Sequence, residues 1–484
     1  MINVDLAVGV FLAYMLGMFG IGVYASRFTT HEPTDFYVAG RTLGTVVLAL
    51  TLLATVLSSF TFFGVGAAAS ATGFGIYSFM GLGGPFYALL FILIGVKLYE
   101  IGKRRNLVTP PEYIRERYES RLASTVYVAV TGIFLVAFIA TQIIGGGVAI
   151  ESLMGIDYVV AISALTAFMA VYLHIAGMRG VVWSDVVQAL ILFGVLVGVF
   201  VYVNVTIGGN AVATSVVAEN PDIFTLRGPF GVWTPTYVLT FMAVFAIGVA
   251  AYPQAIQRYF SAESAQIMKR SGILYGAIII PVNFLAVILG IWALGFVDLE
   301  AVASPDYVIP LMIDALMHPI IFGVGMAAGV AALMSTADSQ VLTIGSMLSR
   351  DIYRQYVDAD ISDEREVRIT QVFLLVVVGL AFLLAWTRPA GIFQLGELAV
   401  AGFATTAPAV FLGIYWQRGT GVAAIVSMII GTVTMIAFFF ELIPAAWLFG
   451  MHYGFGALVL AFASYIVMSL LTPVPSEDAI SNYS

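Results

Sequence analysis

The stretch Gly329 to Tyr353 reads GVAALMSTADSQVLTIGSMLSRDIY. It opens like a membrane helix, yet it carries Ser335, Thr336, Asp338, Ser339, Gln340 and Thr343 near its middle. In hydrocarbon each polar group without a partner costs several kcal/mol, so this run must face protein, water or an ion. Ala332, Ser335, Thr336, Ser339 and Thr343 stand at i, i+3, i+4, i+7 and i+11, which makes one helical face of small and hydroxylated residues. Hydroxyl and carbonyl oxygens are hard, neutral ligands that suit a hard cation and not a transition metal. The same small residues also suit plain helix packing.

The rest of the chain supplies the membrane. Of 484 residues 61% are hydrophobic and 10% charged, with mean hydropathy +1.01, far from the composition of a soluble domain. A 20-residue ruler gives thirteen spans. The first six lie near 4–25, 43–73, 76–99, 122–150, 157–175 and 182–206. The other seven lie near 235–257, 271–296, 319–349, 367–387, 391–416, 420–440 and 453–472. The first run has no basic residue before it and is too long for a signal-peptide core, so it is expected to be retained. With the N-terminus outside, all but Arg227 and Arg388 of the 20 basic residues fall in one set of loops or segment ends, which predicts N-out, C-in. Net charge −8 resides in loops and speaks against nucleic-acid binding. The absence of cysteine rules out disulfides and thiolate chemistry.

No loop is long enough for a soluble catalytic domain, and no P-loop is present, so function is expected in the bundle and without ATP. A channel, which predicts a ring of filter residues, and a sensor, which predicts a fused signalling domain, stand as alternatives of a different class; an intramembrane protease needs paired carboxylates, which are not evident. The four histidines have no metal-ligand spacing. The outward loop 297–318 carries an apolar patch, Tyr307 to Met317, expected as a short surface helix. The basic loop KRRNLVTPPEYIRERY is read as a solvated face bordering anionic lipid. No obligate protein partner is implied.

Two spans look interrupted. ALTLLATVLSSFTFFGVG crowds Thr51, Thr55, Ser58, Ser59 and Thr61 at its centre, and FMAVFAIGVAAYPQAIQRYF has Gly248 and Pro253 inside. They are the second and seventh spans, five apart. Paired broken helices point to an inverted repeat with a midplane site, spans two to six against seven to eleven. A break frees carbonyls, so with the Ser335/Thr336 face the pattern suggests a Na⁺ between the second and ninth spans. Ser58, Thr61, Phe245 and Tyr252, on the two broken helices, are expected to line the solute cavity. Asp338 and Glu397 are read as the intramembrane carboxylates, Asp338 for ion exit or for bonding its own helix, Glu397 for solute contact or for reaching outer water. The core is read as holding no buried Lys or Arg.

Five ordered motifs carry a family resemblance. AALMSTADSQVLTIGSMLSRDIY, with DFYVAGRTLG at 35–44, TPPEYIRERY at 109–118, GMRGVVWSDVVQALIL at 177–192 and QRYFSAES at 257–264, resembles the sodium/solute symporter family over nearly the whole chain. The resemblance implies an all-α LeuT-like core of two inverted five-helix repeats (43–206 and 235–416), one additional helix before it (4–25) and two after it (420–472). It implies a sodium site on backbone oxygens of Ala54, Leu57 and Ala332 with the hydroxyls of Ser335 and Thr336. Asp185 matches a family carboxylate and is expected either on the ion path or as a helix cap. Proline-transporting members bear an Asp two residues after the first sodium-site Ala, and Trp and Tyr in the seventh span, where this chain has Val56, Phe245 and Val249. The pattern TVVLALTLLATVLSSFTFFG is similar to the pantothenate and monocarboxylate branches. The expectation is a plasma-membrane, Na⁺-coupled importer of a small organic anion, with a proline-like amino acid or a sugar as alternatives.

Overall fold

The computed structural model describes residues 2–27 and 37–475, and of 2–5, 25–26 and 174–180 it describes the backbone alone. His31, and Asp35 and Phe36 of the first motif, lie outside the described residues. Apart from an isolated bridge between Leu43 and Ala262, regular structure among these residues is helical.

The chain opens with α1 (Ile2–Ser26) and the first broken pair, α2 (Thr45–Val56) and α3 (Phe60–Thr72), bent by 59°. Then come α4 (Gly84–Arg105), α5 (Pro110–Tyr118) and α6 (Arg121–Met154). Helical backbone over Tyr158–Tyr202 holds two apolar stretches, α7 (Tyr158–Leu173) and α8 (Val181–Ile207). The Tyr172 hydroxyl donates to Ser184 Oγ at 2.9 Å. Twelve residues of straight helix would hold them about 18 Å apart, so the chain bends sharply between α7 and α8.

After α9 (Gly209–Glu219) comes the second broken pair, α10 (Pro235–Ala250) and α11 (Pro253–Ser261), bent by 49°. The chain goes on through α12 (Ala265–Ala293), α13 (Val308–Leu316) and α14 (Pro319–Met347). It ends with α15 (Asp363–Thr387), α16 (Ile392–Ala404), α17 (Gly421–Phe439) and α18 (Tyr453–Leu471). Ten helices among the described residues are long and apolar enough to cross a membrane, or twelve with each bent pair as one span. α14 lies at the centre: every residue from Gly325 to Met347 is buried, against α1, α6, the Tyr158–Tyr202 stretch, α11 and α15.

Both breaks are built locally. At Leu57 the backbone turns extended (φ −75°, ψ 103°), and α6 catches the freed groups. Gln142 Oε1 accepts from Ser59 N at 3.1 Å and from Ser59 Oγ at 2.9 Å. Gly145 of α6 makes this approach possible, since a Cβ there would stand 2.4 Å from Ser59 Cβ. Tyr252 (φ −53°, ψ 126°) opens the second break, and Pro253 starts α11 where a helix needs no amide donor. Gly248 lets α10 touch α16, because a Cβ there would stand 2.2 Å from the Val400 carbonyl oxygen.

Two loop expectations are corrected. The apolar patch is α13, but Val308, Ile309, Met312 and Ile313 are buried, so it is a packed element and not a surface helix. Arg117 of the basic loop is buried too, donating to the carbonyls of Gly413 (2.7 Å) and Trp416 (3.0 Å); its task is to close the end of the eleventh span.

Candidate ion and solute site

Four of the five oxygens expected to hold sodium come from the α2 break and the α14 hydroxyl face, and they converge. Ser335 Oγ lies 3.0 Å from the Ala54 carbonyl oxygen and 2.9 Å from that of Ala332. Thr336 Oγ1 lies 2.9 Å from Ala54 O and 3.3 Å from Leu57 O. In a continuous helix the Thr61 amide would bond Leu57 O, but here it bonds Ser58 O at 2.9 Å, which leaves the Leu57 carbonyl to the Thr336 hydroxyl. All five residues are 2% exposed or less. Five neutral oxygens this buried and this close suit a hard monovalent cation.

One turn further along α14 the structure corrects the reading of the core. Arg258 of α11 is fully buried, although its sequence position suggested a loop end. Its guanidinium donates to Asp185 Oδ2 at 3.0 Å, to Thr51 Oγ1 at 3.0 Å and to Ser339 Oγ. Asp185 is therefore no helix cap: it sits inside α8 and is buried, as Asp338 and Glu397 are. Its Oδ2 also accepts from Thr51 at 2.5 Å. Asp338 is fully buried, and among the described residues neither of its oxygens has a hydrogen-bond partner, so bonding to its own helix is not what the structure shows.

On the other side of the α2 break lies a small enclosed cavity of about 10 Å³. Thr61, Phe245 and Tyr252 line it, as expected from sequence, together with Val56, Phe60, Tyr87 and Phe138. Ser58 is not in the lining; its Oγ accepts from the Phe60 amide at 3.1 Å and helps hold the break. Sequence reading missed the α12 wall of Tyr275, Ile279 and Asn283. A lone Asn in the apolar run AIIIPVNFLAVIL was the available signal. Neither Arg nor Lys lines the cavity, for Arg258 is engaged elsewhere.

Phe60 closes this cavity. Its ring stacks on Phe245 at 5.9 Å and on Phe393 at 5.1 Å, and Phe393 lines a second, roomier cavity of about 320 Å³ with Trp233, Tyr237, Asp306, Gln394 and Glu397. Glu397 does not simply reach water: its Oε1 lies 2.6 Å from Nε2 of buried His452. Asp306 accepts from Arg388 at 3.2 Å and from the Ile392 amide at 3.4 Å, pinning a loop to the start of α16. Beside it Tyr307 donates to Glu151; burial first, and that bond second, push its phenol up to about 12.

Residues 36–431 match the model of the sodium:solute symporter family. The sodium/pantothenate symporter of Escherichia coli (strain K12) is 31% identical over 87% of this chain and 88% of its own length. The high-affinity proline transporter PutP of Bacillus subtilis (strain 168) is 28% identical over 96% and 98%. Among solved structures, the substrate-bound outward-open state of a Na⁺-coupled sialic acid symporter superposes with TM-score 0.82 at 21% identity, covering 98% of this chain and 99% of that one.

Proposed function

The chain belongs to the sodium:solute symporter family and is a multi-pass, sodium-coupled membrane transporter rather than an enzyme; on that premise we propose that it imports a small organic anion, a monocarboxylate or a pantothenate-like acid. In this reading Na⁺ is held by the carbonyls of Ala54, Leu57 and Ala332 and the hydroxyls of Ser335 and Thr336, and the solute occupies the aromatic cavity once its walls part to widen it. The bent pairs count as one span each and α7 as the thirteenth, arranged as two inverted five-helix repeats with one helix before and two after. The N-terminus is outside and the C-terminus cytoplasmic.

One observation supports the coupling most. Val56, Phe60 and Thr61 line the cavity, and the carbonyls that face Thr336 belong to Ala54 and Leu57, so a single break serves ion and solute. Filling the ion site fixes the backbone that shapes the cavity. Binding of each then tightens the other by the same factor.

The choice of an anion follows from charge. A carboxylate left unpaired at midplane costs at least about 2.5 kcal/mol. The neighbouring Na⁺ lowers that cost and would raise it for a cation, while Val56 leaves no carboxylate to receive an ammonium. More than one Na⁺ per monoanion would add membrane potential to the drive, about 2.3 kcal/mol per net charge per 100 mV.

Uptake into liposomes holding the purified protein tests this. A Na⁺ gradient is expected to concentrate at least one of acetate, pyruvate, lactate and pantothenate. Accumulation of a neutral sugar or zwitterionic amino acid with all four acids ignored would overturn the anion and leave the symporter.

A further inference from the structure

We propose that the solute must carry a hydrogen-bond donor, a hydroxyl or an N–H, and that Asn283 reads it. This deepens the reading of the aromatic cavity as the solute site and rests on it.

Asn283 is 1% exposed and lines the cavity from α12. Its Nδ2 donates to two carbonyls, Met80 O at 3.0 Å and Ile279 O at 3.1 Å. Both amide hydrogens are thereby used. Turning the amide over would set Oδ1 against two carbonyl oxygens, so its orientation is fixed by these neighbours. Oδ1 is left as a pure acceptor, and among the described residues it has no partner. One stripe of the same helix presents Tyr275, whose buried hydroxyl is likewise without a partner among the described residues.

The cavity, about one water in volume, has to widen to admit a solute, and the group of the solute that comes to face Oδ1 displaces water from it. The partner for Oδ1 must then come from the solute itself. A solute with a hydroxyl or N–H restores the bond, whereas one that offers only acceptors or methyl groups buries Oδ1 unpaired. Sites built to bond a substrate group discriminate strongly against analogues lacking it. Tyr275 can donate as well as accept, so it serves the solute's own acceptor, its carboxylate included.

Matched pairs decide the matter. In Na⁺-driven uptake by the wild type, lactate (a hydroxyl) is set against pyruvate (a carbonyl in the same place), and proline (N–H) against N,N-dimethylproline (none). Lactate is expected to have an apparent affinity at least about tenfold above that of pyruvate, equivalent to about 1.4 kcal/mol. In Asn283→Leu the ratio should collapse toward one through weaker lactate uptake. Equal affinities for lactate and pyruvate in the wild type would overturn the donor requirement without any mutant, and so would an Asn283→Leu protein that keeps the wild-type ratio. If both acids are ignored but proline is taken over its dimethyl analogue, with that preference lost in Asn283→Leu, the donor requirement stands and the anion falls. If lactate, pyruvate and propionate are taken alike, the anion stands and the donor requirement falls.

Discussion

Arg258 and Asp185 show how a single residue escapes sequence reading. Arg258 ends an apolar run, as a positive charge at a membrane boundary does, and its partner lies 73 positions upstream on another helix. Only the fold brings them together, at zero exposure on both sides. The burial of Ser335 and Thr336 against partners was legible for the opposite reason: oxygens recurring on one face of an apolar helix are costly when unpaired, so the pattern calls for a partner, and the structure supplies the carbonyls of Ala54 and Ala332. Gln142, which satisfies the α2 break, was missed because a lone amide in an apolar helix does not say which neighbour it serves. The buried pair yields a prediction. Asp185→Asn strands the guanidinium, and breaking one side of a buried pair costs about 3–5 kcal/mol. The thermal unfolding temperature in detergent should fall clearly, and the double change Asp185→Leu with Arg258→Met should recover most of the loss. An Asp185→Asn protein as stable as wild type would remove the pair's structural role.

Among elements, the two breaks could be read from Ser/Thr crowding and from Gly248 with Pro253, and the bends of 59° and 49° stand at those places. Helices in the connections were harder. α13 has too few residues to register as a span, and its burial depends on α14 and α3 beneath it. α9 occupies what reads as a loop of mixed polarity. These connecting elements also offer the test of orientation, since the chain has no cysteine of its own. Thr214 in α9 and Asp360 beyond α14 are both exposed. Single cysteines there should react differently with a membrane-impermeant maleimide: Thr214→Cys in intact cells, Asp360→Cys only after permeabilisation. The opposite pattern would invert the topology.

At the scale of the whole molecule, one kink joins what the fold otherwise keeps apart. α14 brings hydroxyls, α2 brings carbonyls, and the residues between and after those carbonyls wall the cavity. Phe60, stacked between Phe245 and Phe393, ties the same segment to α10 and α16. If ion and solute bind where proposed, a change at the ion is transmitted through this segment to the solute and to the rings beside it. The identity of the solute was the least legible property, because on the proposed reading it depends on atoms such as Asn283 Oδ1, whose freedom is set by Met80 on another segment and Ile279 on the same helix. Coupling in this protein is proposed to rest on Na⁺ bridging α2 and α14, and the decisive measurement is the Na⁺ dependence of uptake in liposomes. Thr336→Ala removes one hydroxyl that faces both Ala54 and Leu57, so the Na⁺ concentration for half-maximal uptake should rise at least about tenfold, about 1.4 kcal/mol, in protein that remains folded and inserted. An unchanged Na⁺ dependence in that variant would contradict the site and the coupling built on it.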